Sequence, residues 1–139
     1  MPAVENHCRV PLIVSHVDLR VRDRVKAAEF YDAFLNLLGG VKHAGEEFTT
    51  WRIPPPDAQP GWEETTQWFG ITEDTAMAPG LTRIAFDAPS RGTIDAIAVY
   101  LPAIGATNIE QPHEAYGPDY YAVFFDDPDG NKLEICHLG

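Results

Sequence analysis

The sequence predicts an α+β fold made of two repeated halves, and three observations carry that prediction. Two helical stripes of apolar residues alternate with short aromatic and β-branched runs of strand character. The last two of those runs, Tyr120–Asp126 and Lys132–His137, are joined by Asp127-Pro128-Asp129-Gly130-Asn131. In that turn Pro128 presets φ, Asp129 can close the chain through its side chain, and Gly130 supplies a positive φ. Anchors also recur along the chain at similar offsets. Ser15–Leu19 overlays Thr82–Phe86, Phe69–Ile71 overlays Leu133–Ile135, and the helix-ending Gly40 matches Gly105. Each half then reads as strand, helix and three strands, over residues 12–72 and 80–138 of one domain spanning 1–139.

In the first half, Val17, Leu19 and Val21 alternate with His16, Asp18 and Arg20, the pattern of a half-buried strand. Asp23 is placed to cap a helix whose stripe is Ala27, Tyr31, Phe34 and Leu38, with Gly39-Gly40 ending it. Strand-like runs follow over 48–53 and 67–72, and the proline-rich stretch 54–61 between them is a loop. In the second half a strand over 81–86 leads to Pro89-Ser90, a turn and cap. The stripe Ile94, Ile97, Leu101 and Ile104 then forms a helix closed by Gly105. Pro102 within it predicts a kink or an early end. Strands are expected over 107–111, 120–126 and 132–137.

Composition narrows the function. At 139 residues, with 45% hydrophobic and 22% charged residues, the chain can bury a core without staples. No apolar run is long enough for a membrane span. A net charge of −11 argues against a nucleic-acid partner. Met1–His7 lacks the basic start and apolar core of a signal peptide, so a cytoplasmic protein is expected. Cys8 and Cys136 are too few for a disulfide framework; both are expected reduced, a Cys8–Cys136 bridge being the alternative. Phosphate-binding glycine loops, zinc-spaced cysteine pairs and a nucleophile elbow are all absent.

The return strand carries one carboxylate, Glu134, between Leu133 and Ile135. It therefore faces away from both neighbours, either toward solvent or into a pocket. His16, taken alone, reads as a hydrogen-bonded strand residue.

In order and spacing, several segments resemble the vicinal oxygen chelate superfamily, which includes glyoxalase I, bleomycin-resistance proteins and extradiol dioxygenases. They are Ser15-His16-Val17, Ala28-Glu29-Phe30-Tyr31-Asp32 with Leu38-Gly39, and Arg83-Ile84-Ala85-Phe86. The last runs from Tyr116-Gly117-Pro118-Asp119-Tyr120-Tyr121 through the Asp127–Asn131 turn to Leu133-Glu134-Ile135. The resemblance implies paired βαβββ modules whose sheets curl around a concave site, commonly completed as a homodimer. It also implies a small-molecule substrate or ligand. In metal-binding members the ligands fall at positions equivalent to His16, Gly70, Arg83 and Glu134.

His16 and Glu134 carry ligating atoms at those positions; Gly70 has none, and a guanidinium has no lone pair to offer. The resemblance thus implies a divalent ion (Zn, Ni, Mn or Fe) on His16 and Glu134. That ion would act as a Lewis acid on adjacent substrate oxygens, with Glu134 as catalytic base, in glyoxalase-like or dioxygenase-like chemistry. The alternative is a metal-free binding protein of the drug-sequestering kind, with Arg83 as an anion clamp or paired to Glu134. Alternation puts Asp18, Arg20, Trp68 and Cys136 on the concave face, Trp68 as an apolar wall, and Tyr116, Tyr120 and Tyr121 at its rim. His43 and His113 are candidate substitute ligands, whereas His137 falls on the opposite face of its strand.

Overall fold

β1 (His16–Val21) leads through Asp23 into α1 (Arg24–Leu35), because the Asp23 carboxylate accepts from the Lys26 amide and so caps the first turn. The computed structural model describes residues 13–139 apart from Pro56. Cys8, and with it the Cys8–Cys136 alternative, lies outside the described residues; Cys136 is a buried free thiol.

Three strands complete the first module: β2 (Val41–Ala44), β3 (Phe48–Arg52) and β4 (Trp68–Glu73). A short 3-10 helix, Trp62–Thr65, follows the proline-rich loop. β5 (Arg83–Asp87) opens the second module, and Ser90 caps α2 (Arg91–Ile104) by accepting from the Thr93 amide. Then come β6 (Thr107–Glu114), β7 (Tyr120–Asp126) and β8 (Lys132–Leu138).

Each module forms its own four-stranded sheet, in the orders β1-β4-β3-β2 and β5-β8-β7-β6. The first and last strands of each module lie side by side and parallel. His16 stands opposite Trp68, and Arg83 opposite Lys132. The overlay of the two halves drawn from sequence therefore follows the actual strand pairing.

Three elements differ from expectation by more than two residues. α2 does not stop or break at Pro102 but runs on to Ile104, where Gly105 closes it at φ 101°. The proline lies in the last turn, so its missing amide removes one bond close to where the helix ends anyway. β6 extends to Glu114, past Pro112, because it is a sheet edge and its pairing with β7 shifts register on either side of Glu110. β2 is exposed along its whole length and offers no alternation to read.

One core joins the modules. Phe30 and Phe34 of α1 meet Phe125 of β7, and Phe34 and Phe69 meet Phe86 of β5, mostly in edge-to-face geometry. All four residues of the first stripe are buried, as are Ile94, Ile97 and Leu101 of the second. With the helix-side faces of both sheets filled this way, the opposite faces are covered only in part. On β1 these present His16, Asp18 and Arg20, all exposed. On the second sheet they present Arg83 and Ala85, both exposed, beside Glu134 and Phe124, both buried.

Candidate functional site

On the inner face of the second sheet, Ala85, Glu134, Phe124 and Glu110 form one row across β5, β8, β7 and β6. Glu134 is only 4% exposed, and the Tyr120 hydroxyl donates to its carboxylate. That bond, followed by partial burial and by contact with Cys136, holds the Tyr120 proton well above the ordinary tyrosine range. Burial, ahead of the nearby carboxylates, pushes the Cys136 thiol up as well, so it is poorly suited to be a nucleophile.

Arg83 does not pair with Glu134. Its guanidinium lies 4.9 Å from the centre of the Phe124 ring and donates to the Leu133 carbonyl at 3.1 Å. Among the described residues no carboxylate forms an ion pair with it. Arg83, Phe124, Tyr116, Ala115, His113 and Glu110 line an open hollow of about 230 Å³. Tyr116 packs edge-on against both Tyr120 and Phe124, and the Nδ1 of His113 lies 2.8 Å from the Gln111 carbonyl oxygen.

The other sequence candidates separate by sheet and by face. His16 belongs to the first sheet, where its ring stacks on Trp68 at 4.1 Å with the planes parallel to within 1°. Trp68 is half-buried, and the Arg52 guanidinium lies 5.7 Å from its ring. Gly70 makes room for this arrangement. A methyl group there would stand 2.9 Å from Trp68 Cζ3 and 3.4 Å from Thr50 Cγ2. A position that carries a ligand in metal-binding relatives is here given over to an indole ring.

Asp18 accepts from Thr72 at 2.7 Å and pairs with Arg20 at 3.6 Å on the exposed face of β1. Tyr121 turns to the helix side of β7, where its hydroxyl donates to Asp95 of α2. It stands away from Glu134, and Tyr120 alone of the adjacent pair reaches that carboxylate. His43 is exposed on β2, and His137 meets the Ala88 carbonyl on the helix side of β8.

These donors do not fit the metal that the resemblance implies. Two of the four positions, Gly70 and Arg83, offer no ligating side chain, and one oxygen of the Glu134 carboxylate already accepts from the Tyr120 phenol. Within one chain His16 and Glu134 lie on separate sheets, and among its described residues no three His, Cys, Asp or Glu side chains converge. The Tyr120–Glu134 bond was not legible in the sequence, which placed Tyr120 only at the rim of the concave face.

Comparison with known proteins places this geometry. The chain is similar along 92% of its length to all of a glyoxalase/bleomycin resistance protein from Albidiferax ferrireducens, with 28% identity and a TM-score of 0.72. A glyoxalase/bleomycin resistance protein/dioxygenase family enzyme from Burkholderia phytofirmans shares the fold at 20% identity and a TM-score of 0.65, over 90% of this chain and 98% of its own. So does a fosfomycin resistance protein from Listeria monocytogenes at 17% identity and a TM-score of 0.67, over 94% of this chain and 96% of its own. No curated protein sequence matches. The family model of the Glyoxalase/Bleomycin resistance protein/Dioxygenase superfamily matches residues 13–135, which is nearly every described residue, and the chain belongs to that superfamily.

Proposed function

We propose that the chain binds a small organic anion on the inner face of the second sheet, with Arg83 as the fixed positive charge and no resident metal taking part. The observation that carries this reading is the Arg83 guanidinium on the wall of the hollow, which forms no ion pair among the described residues. A guanidinium stays protonated at any physiological pH and presents a planar fork suited to a carboxylate or phosphonate. Cation–π contact with Phe124 and the bond to the Leu133 carbonyl hold it in place while leaving donors free. Glu134, oriented by Tyr120, is the acceptor beneath the site, and is the general base of this face if the bound molecule is turned over. Because His16, Asp18 and Arg20 on the first sheet and Arg83 and Ala85 on the second stay exposed in a single chain, we assign the working form to a homodimer in which a second copy covers them.

Amide NMR titration with 3-phenylpropanoate, a plain aryl carboxylate, tests the reading. Shifts are expected around Arg83, Tyr116 and Phe124, with affinity at least tenfold weaker in Arg83→Met. Equal binding by the two proteins would sink the anion-clamp role. Stoichiometric divalent metal in the purified protein, lost in His16→Ala, would replace this reading with metal-dependent chemistry on His16 and Glu134.

A further inference from the structure

Two opposite charges flank the same aromatic ring in the hollow. The Arg83 guanidinium lies over Phe124, while Glu110 stands directly across from Phe124 in the β6–β7 pairing, and both line the cavity. They form no ion pair with each other, and among the described residues neither forms an ion pair with any other group. For a ligand that is only an anion this is a poor arrangement. Glu110 beside it and a chain of net charge −11 would both repel it.

From this we infer that the ligand is a small amino-acid-like zwitterion, with a carboxylate or phosphonate on Arg83 and a protonated amine on Glu110. Phe124, Tyr116 and the His113 ring receive its apolar body. Such a molecule carries no net charge against the acidic protein, and it converts Glu110 from a repelling group into a partner. The hollow is open to solvent and has a volume of about 230 Å³. The inference rests on the anion-clamp reading of Arg83 and adds to it the second charge and hence the ligand class.

Three probes of matched shape separate the two ideas: L-phenylalanine carries both charges, 3-phenylpropanoate only the negative one, and phenethylamine only the positive one. L-Phenylalanine is expected to bind at least tenfold more tightly than either. Glu110→Gln should erase its advantage over 3-phenylpropanoate without weakening 3-phenylpropanoate itself. Glu110 is exposed on an edge strand, so this variant is expected to fold. If L-phenylalanine binds no better than 3-phenylpropanoate, or keeps its advantage in Glu110→Gln, the zwitterion inference is overturned while the anion site stands. If Arg83→Met binds every probe as the wild type does, or no probe binds the wild type, both fall.

Discussion

Tyr120 and Glu134 show how much a single hydroxyl decides. A carboxylate buried to this degree with no donor would lose the hydrogen bonds water gave it, a cost of about 1–3 kcal/mol or more for a charged group. The phenol supplies one such bond and in exchange holds its proton past the ordinary tyrosine range. Tyr31 does the same in the core, chiefly through burial and then through the charge of Asp127. In the unfolded chain both phenols ionise near pH 10. Because their folded-state values are raised, the stability they contribute is fully present below about pH 10 and is lost as the pH climbs above it. Urea midpoints at about pH 8 and pH 11 should therefore fall in the wild type and fall less steeply in Tyr31→Phe and Tyr120→Phe. Identical slopes in all three proteins would show that these phenols do not control the alkaline limb. At this scale the sequence was readable where neighbours decide the outcome, as for the Asp23 and Ser90 caps. It was unreadable where a partner lies across strands, as with Tyr120 beside Glu134 or Trp68 over Gly70.

Among the elements, the β7–β8 hairpin is held by more than its turn residues. The Asp127 carboxylate, 1% exposed, accepts from the amides of Asp129 and Asn131, from the Asn131 side chain and from the Tyr31 hydroxyl of α1. Asn131 reaches on to the Arg20 carbonyl of β1, and Asp129 pairs with Arg22 at 3.3 Å. Replacing Asp127 with Ala would orphan four donors, at least three of them in buried surroundings. We expect a loss of about 3 kcal/mol or more in chemical denaturation, against a smaller loss for Asp127→Asn, which keeps an acceptor. Comparable effects of the two changes would mean that packing, not acceptance, is what Asp127 supplies. The turn itself was legible because Pro128 and Gly130 have local backbone roles. Its hold on α1 and β1 was not, since those residues lie about a hundred positions away in the chain. Equally, β2 and the end of β6 escaped reading because edge strands need neither alternation nor freedom from proline.

At the scale of the molecule, two sheets share one core and turn their polar faces outward. The sequence announced the two modules through their repeated order, but it could not say that each would close its own sheet. If a second copy covers the inner faces, sedimentation equilibrium should give twice the chain mass of 15.4 kDa. A charge substitution on the exposed face of β1, such as Asp18→Lys, should shift the protein toward monomer. A monomer at all accessible concentrations would remove the homodimer from the proposal. The clasp at Asp127 has a further consequence for how this architecture comes apart. Because the hairpin of the second module accepts from the helix of the first and donates to its first strand, neither half is expected to be self-sufficient. A chain severed between β4 and β5 should yield two fragments that reassemble only with each other, so the duplication visible in the sequence marks a repeat of pattern and not of independently folding parts.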